Sequence, residues 1–122
     1  MAVPRITREE LKARLDAPEP PSHPILLDVR LKYPYEHSTI TLPGAVRVLP
    51  DAVTEASLPR DRDLVLYDSD PGDLVSMQAA AELLRLGYRA LVLEGGIAEW
   101  ANAKLPIDTK TAPQPAPPKK AG

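Results

Sequence analysis

The sequence predicts one α/β domain in three layers, with a central, mainly parallel sheet and helices on both of its faces. Its 122 residues suffice for a single domain with a buried core. Short apolar runs typical of buried strands alternate with segments of helical periodicity, and that alternation favours parallel strands joined by helices. The chain has no Phe and a single Trp, so Leu, Val, Ile and Ala must supply most of the core.

The first element along the chain is a helix that we predict over about residues 8–16. Thr7 precedes it as a capping residue, and Glu10 follows where its side chain can reach back to the Thr7 backbone N–H. This reciprocal pattern is typical of a helix start. Prolines from residue 18 onward remove backbone donors and disfavour helix before them, so the helix must end near residue 17.

Four short apolar runs, bounded by charged or turn-forming residues, predict the strands. The predicted strands are residues 25–29, 45–48, 64–67 and 90–93. Apolar residues recur at helical spacing over residues 74–86, and Gly87 is a natural helix stop. A last short helix is predicted over residues 97–103, and residues 31–44 are predicted to form a loop.

The C-terminal segment, residues 109–122, differs in composition from the rest of the chain. It is rich in Pro and polar residues, cannot bury a core, and is predicted to be an extended or disordered tail. The P-x-x-P spacing at Pro115 and Pro118 also occurs in ligands of Pro-binding modules, but a solvated tail is the favoured interpretation.

Composition excludes several classes of function. The formal net charge of −2 does not indicate a nucleic-acid partner. The absence of Cys excludes disulfides, thiolate catalysis and zinc–thiolate sites, and His23 and His37 lack the spacing of metal ligands. No apolar run reaches the ~18 residues of a membrane span. We therefore expect no metal, cofactor, nucleic acid or membrane span, and, because the N-terminus lacks a signal-peptide pattern, a cytoplasmic location.

The most informative residue is Asp68, which directly follows the predicted strand 64–67. A tight turn and the predicted helix 74–86 come after it. A strand that ends in such a loop and opens a helix directs backbone N–H groups at the loop, an arrangement that suits a nucleophile or a bound anion. Here the loop carries three carboxylates, Asp68, Asp70 and Asp73.

Five segments match the motifs of one protein family, in order and at ordinary spacings. They are Leu27–Arg30 (its D-V-R), Leu42–Ala45 (its I-P-G-A), Leu64–Tyr67 (the strand before its catalytic loop), Ala80–Tyr88 (the helix after that loop) and Leu93–Trp100 (its L-x-G-G-x-x-x-W). Together they resemble the rhodanese family of sulfurtransferase domains. The resemblance covers residues 5–108 and implies the rhodanese-like fold, with residues 109–122 as the tail.

The resemblance fails at the residue on which the family's chemistry depends. The family's reactive Cys follows the strand directly, and that position is Asp68 here. An Arg commonly closes the loop in active members, whereas this chain has Val75 just before Ser76. The loop over residues 68–76 is also slightly longer than the commonest form and resembles a C-x-C-P variant in which Asp70 replaces the second Cys.

The chemistry of the loop predicts that thiosulfate sulfurtransferase activity is lost. A persulfide requires a thiolate nucleophile, and a carboxylate cannot form one. Thiosulfate is a dianion that carboxylates at the loop would repel. Asp68 can instead satisfy the loop N–H groups as a built-in anion, stabilised by roughly 0.3–1 kcal/mol at a helix N-terminus. Asp73 is interpreted as an ordinary residue of the first helical turn.

We therefore predict a catalytically inactive domain that acts as a binding or regulatory module. Its vestigial binding loop comprises Asp68, Ser69, Asp70, Gly72, Asp73, Val75 and Ser76. The resemblance places Asp28, Arg30 and Tyr35 at the rim of the site, with Asp28 and Arg30 in a mainly structural role. If the domain has a protein partner, we expect it to bind the loop around Tyr35 together with residues 68–75.

Besides a residual or unconventional activity related to sulfurtransferases, two alternatives remain open. Asp68-x-Asp70 after a strand is similar to the start of aspartyl phosphatases, which would make the chain an unconventional enzyme of phosphate and magnesium chemistry. Such enzymes need further acidic residues and a Lys downstream, whereas the Lys residues after Asp73 lie near or in the tail, at positions 104, 110, 119 and 120. A cation site formed by Asp68, Asp70 and Asp73 is the other alternative, but Pro71 and Gly72 interrupt the calcium-loop pattern.

Overall fold

The structure, a computed structural model, describes residues 2–18, 23–69 and 72–110. The strands are β1 (Arg5–Ile6), β2 (Ile25–Asp28), β3 (Ile40–Thr41), β4 (Val46–Arg47), β5 (Asp63–Tyr67), β6 (Arg89–Leu93) and β7 (Asp108–Thr109). The helices are α1 (Arg8–Asp16), α2 (Lys32–Glu36), α3 (Leu74–Arg85) and α4 (Gly96–Asn102), with a 3₁₀ helix over Pro50–Glu55.

The centre of the fold is a five-stranded sheet in the order β1-β6-β5-β2-β4. Every pairing in it is parallel, and the central β5 aligns Leu66 with Leu27 of β2 on one side and with Val92 of β6 on the other. A separate antiparallel pair joins β3 to β7. The predicted α/β class with a mainly parallel sheet is confirmed.

The sheet is covered on both faces, which gives the predicted three layers. Successive residues of a strand point to opposite faces, so Leu64 and Leu66 of β5 join one core while Val65 and Tyr67 join the other. The first core packs against α3 and the 3₁₀ helix, and the second contains Leu11 of α1 together with residues of α4. Trp100, fully buried, belongs to the second core.

The capping signal in the sequence sets the start of α1. The Thr7 side chain accepts the Glu10 backbone N–H at 3.0 Å, and Glu10 accepts the Thr7 N–H at 2.9 Å. These two bonds satisfy first-turn donors that would otherwise lack partners. The observed bounds, Arg8–Asp16, agree with the predicted 8–16.

The prediction of a loop over residues 31–44 was wrong in part, because this segment contains α2 and β3. Pro34 lies in the first turn of α2, where the missing N–H removes no intrahelical bond. The sequence reading also missed β1, the 3₁₀ helix and β7. A two-residue strand leaves no periodic pattern to detect.

Residues 109 and 110 make main-chain contacts with the segment around β3. Thr109, which the sequence reading assigned to the tail, pairs with Ile40, and the Lys110 N–H donates to the Thr39 carbonyl at 2.7 Å. The predicted tail covers residues 109–122, and residues 111–122, which include the P-x-x-P spacing, lie outside the described residues. Among the residues that are described, no helix is long and apolar enough to cross a membrane.

Candidate functional site

The loop between β5 and α3 begins at the carboxyl end of the central strand. Open parallel sheets bind ligands at this edge. Asp68, the first residue after β5, is only 1 % exposed, and Asp73, directly before α3, is 4 % exposed. Residues 70 and 71 lie outside the described part of the chain, so the structure does not address the proposed contribution of Asp70.

Asp68 is held through both its side chain and its main chain. Its Oδ2 accepts the backbone N–H of Ser76, in the first turn of α3, at 2.5 Å. Its carbonyl oxygen accepts the N–H of Ile97, in the first turn of α4, at 3.1 Å. The carboxylate thus lies at a helix N-terminus, where the macrodipole favours a negative charge by about 0.3–1 kcal/mol.

Gly96 permits the close approach of α4 to the loop. Its φ is +59°, and a Cβ at this position would lie 2.2 Å from the Asp68 carbonyl oxygen. No side chain larger than hydrogen fits without movement of the loop or the helix. The paired glycines of the predicted turn, Gly95 and Gly96, therefore bring the α4 N-terminus against the main chain of Asp68.

Asp73 is not the ordinary first-turn residue that the sequence suggested. It is a buried N-cap in the left-handed region, with φ +58° and no side-chain bond to its own helix. Its Oδ2 accepts the Gly95 N–H at 3.1 Å and is 3.4 Å from Arg5 Nη1, while its Oδ1 is buried without a hydrogen-bond partner. The side chain ties α3 to the turn before α4, a tertiary role that local spacing could not reveal.

The remaining loop residues occupy different environments. Ser76 is buried, and its Oγ donates to the Asp73 carbonyl at 3.1 Å, so it contacts both carboxylate residues. Ser69 is half-buried and Gly72 is exposed. Val75 lines a surface cavity beside α3.

The predicted rim residues Asp28 and Arg30 form a buried ion pair, exposed by 1 % and 2 %. Arg30 Nη2 is 2.6 Å from Asp28 Oδ2, and Arg30 also donates to the Ile40 carbonyl at 2.9 Å. The Tyr67 hydroxyl donates to Asp28 Oδ2 at 2.9 Å and accepts the Leu42 N–H at 3.2 Å. The pair thus joins the ends of β2 and β5 to the segment before β4.

Burial of the Tyr67 phenol, reinforced by the charge of Asp28, raises the pKa of Tyr67 well above its ordinary value. The phenol is therefore a permanent neutral donor to the carboxylate. Burial also lowers the pKa of Arg47, whose Nη1 donates to the carbonyls of Asp28 at 3.1 Å and Arg30 at 2.5 Å.

Tyr35, the third predicted rim residue, lies half-buried above this network. The Arg47 guanidinium carbon and Lys110 Nζ each lie 4.1 Å from its ring centroid, and the Arg30 guanidinium carbon lies 5.2 Å away. Sequence reasoning missed Tyr67, Arg47 and Lys110. A charged residue within the apolar run 45–48 was the one available signal, and it pointed to Arg47.

The arrangement places a buried carboxylate at the start of the loop between β5 and α3. Asp68, Asp73 and Ser76 come together around the N-termini of α3 and α4, whereas Asp28 and Arg30 form a separate network at the end of the neighbouring strand. Within the described ranges, no group of three or more His, Cys, Asp or Glu side chains is placed to hold a metal ion.

Comparison with known families identifies the fold. A sequence model of the rhodanese-like domain matches residues 7–103. The chain belongs to the rhodanese-like domain family. The predicted family and fold are thereby confirmed, and the absence of Cys is consistent with a rhodanese-like variant that lacks the catalytic Cys. No curated protein matches the chain.

Solved structures agree with this assignment. A protein from Lactobacillus plantarum has a TM-score of 0.76 and 25 % identity, covering 87 % of this chain and 88 % of its own. A protein from Anabaena has a TM-score of 0.71 and 28 % identity over 86 % and 82 % of the two chains. A rhodanese homologue from Thermus thermophilus has 35 % identity and a TM-score of 0.59, covering 77 % of this chain and 96 % of its own.

Proposed function

We propose that this rhodanese-like domain is a catalytically inactive binding or regulatory module, in which Asp68 stands where active relatives carry the persulfide Cys. The observation that carries the proposal is the 2.5 Å bond from the Ser76 N–H to the buried Asp68 carboxylate. A group of this chain already fills the place in which a substrate anion would be bound.

The chemistry of the side chain supports the loss of turnover. Sulfur transfer from thiosulfate requires a thiolate that attacks the outer sulfur, holds it as a persulfide and releases sulfite. A carboxylate oxygen forms no stable equivalent. The negative charges of Asp68 and Asp73 would also repel a dianionic substrate, and with exposures of 1 % and 4 % neither side chain is open to solvent.

The binding role is supported by an exposed apolar side chain in each of two segments. Leu74, the first residue of α3, is 58 % exposed, and Tyr33 of α2 is 69 % exposed. Both belong to the segments that the sequence marks as a partner surface. We propose that a protein partner contacts the α2 segment together with residues 68–75.

The experiment that tests inactivity measures thiosulfate–cyanide sulfur transfer by the natural chain and by Asp68→Cys. The natural chain should give no turnover above buffer. If the loop has kept its N–H groups, Asp68→Cys should gain the mass of one sulfur atom on incubation with thiosulfate. Ser57→Cys, at an exposed position, controls for the reactivity of any new thiol. Turnover by the Cys-free natural chain would refute the proposal.

The alternative, an unconventional enzyme that uses Asp68 on phosphate, has its own test. Hydrolysis of p-nitrophenyl phosphate should be absent with or without magnesium, because Asp68 is buried and already accepts a backbone N–H. Magnesium-dependent hydrolysis that disappears in Asp68→Asn would establish the alternative and exclude the binding-only function.

A further inference from the structure

A groove beside α3 is lined by Val75 of the loop described above, but not by Asp68, Asp73 or Ser76. Its volume is about 780 Å³, within the range of roughly 300–1,000 Å³ typical of ligand clefts. Its walls come from the start of α2, the start of the 3₁₀ helix and one face of α3. The apolar part of the lining is Leu31, Leu49, Pro50, Val75, Ala79 and Ala81.

Two large apolar side chains that line the groove are about half exposed to water. Leu31 is 52 % exposed and Leu49 is 48 % exposed. Covering such surface contributes roughly 25 cal/mol per Å². The charged lining residues are Asp51, Glu82 and Lys32, a net charge of −1, and Glu82 also contacts Arg85, which does not line the groove, at 2.5 Å. The groove therefore suits an apolar segment that also bears positive charge.

The C-terminal segment of the chain has this chemistry, and the residue before it lies close to one wall of the groove. Residues 111–122 contain four Pro and end in Lys119-Lys120-Ala121-Gly122. The preceding residue, Lys110, contacts Tyr35 of α2 through its Nζ, which donates to the Tyr35 carbonyl at 2.5 Å. Leu31, the N-cap of the same helix, is a groove wall.

The C-terminal segment is long enough to reach the groove. Tyr35 and Leu31 are separated by about 6 Å of helix, at about 1.5 Å per residue. A Pro-rich segment with the length of residues 111–122 spans up to about 37 Å in polyproline II form. Prolines also lower the entropy lost on binding, since their backbone is already restricted.

We propose that the Pro-rich C-terminal segment of this chain docks in the groove of its own domain, with Lys119 and Lys120 beside Asp51 and Glu82. The docked segment covers Leu31 and Leu49 and occupies the surface that an external Pro-rich, basic ligand would need. The proposal does not depend on whether the domain has lost sulfur transfer, because Asp68, Asp73 and Ser76 do not line the groove.

The natural absence of Cys gives a direct test on the full chain. Ala121→Cys creates a single thiol for a nitroxide spin label, and amide NMR peak intensities are compared before and after reduction of the label. Amides of Leu49, Gln78 and Glu82 should lose most of their intensity in the oxidised sample. Amides on the far side of the sheet, such as Lys12 of α1, should keep theirs.

Charge variants separate docking from chance proximity. The double variant Asp51→Lys with Glu82→Lys should restore the peak intensities of the groove amides. The control is the matched double variant of exposed acids on α1, Glu9→Lys with Asp16→Lys, in which the groove amides should stay broadened. Groove amides that keep full intensity in the natural background would overturn the proposal. So would broadening that persists in Asp51→Lys with Glu82→Lys.

A mixed sample tests the second possible occupant, another copy of the chain. Isotope-labelled chain without a nitroxide is combined with unlabelled chain that carries one. Intramolecular docking predicts unchanged groove intensities in this mixture. Broadening in the mixture would overturn the proposal and assign the groove to the tail of a second molecule.

Discussion

Gly96 offers the sharpest test of how the loop around Asp68 is held. In Gly96→Ala the new Cβ would lie 2.2 Å from the Asp68 carbonyl oxygen, far inside van der Waals contact. The left-handed backbone, with φ +59°, adds about 1–2 kcal/mol for any residue with a Cβ. Displacement of α4 would also weaken the Ile97 N–H bond to Asp68, worth about 0.5–1.5 kcal/mol. We expect Gly96→Ala to lower the free energy of unfolding by about 2–4 kcal/mol.

Gly44 provides the matched control. Its φ is +68°, but a Cβ there would meet nothing within 4 Å. Gly44→Ala should therefore show only the conformational term of about 1–2 kcal/mol. Urea unfolding of the natural chain and both variants, followed by Trp100 fluorescence, gives the comparison. If the two substitutions destabilise the domain equally, the close approach of α4 to the Asp68 carbonyl contributes nothing and the reasoning is refuted.

The Asp28 network yields the other predictions. Tyr67→Phe removes the donor to buried Asp28 and the acceptor of the Leu42 N–H. We expect the free energy of unfolding, measured by urea denaturation, to fall by about 1–3 kcal/mol. A change under about 0.5 kcal/mol would contradict this prediction. The pKa of Tyr67 is raised in the folded state. The unsubstituted chain should therefore lose stability above about pH 10 more steeply than Tyr67→Phe does. If the free energies of unfolding of the two proteins change in parallel with pH, the phenol is not buried against Asp28. Arg30→Gln leaves the Asp28 carboxylate without its buried ion partner and should lower the free energy of unfolding by about 3–5 kcal/mol. Arg85→Gln breaks an exposed pair and should lower it by less than about 1 kcal/mol. Thermal unfolding of both variants gives the comparison, and equal losses of stability would contradict the role of the buried pair.

The sequence contained enough local information for the main elements. The capping pair around α1 and the apolar run of β5 are signals that neighbouring residues carry by themselves, and the structure agrees with both. The two-residue strands and the proline-containing α2 have no such pattern. Their conformation depends on partners distant in sequence, such as Thr109 for β3.

The candidate site divides in the same way. Asp68 was found because its position after a strand is a local feature with a chemical meaning. The contacts of Asp73 with Gly95, and of Tyr67 with Asp28, join residues 22 and 39 positions apart. The spacing of residues along the chain does not predict such distant contacts. The burial of Asp73 and the role of Tyr67 could therefore be identified only from the folded structure.

The main-chain hydrogen bond between Ile97 and Asp68 determines which changes at position 68 the fold can accommodate. This bond uses the carbonyl oxygen of residue 68, an atom that every amino acid supplies. The α4 turn therefore anchors the loop whichever side chain stands at this position. The side chain at position 68 can therefore differ in charge and reactivity while this contact between α4 and the loop is kept.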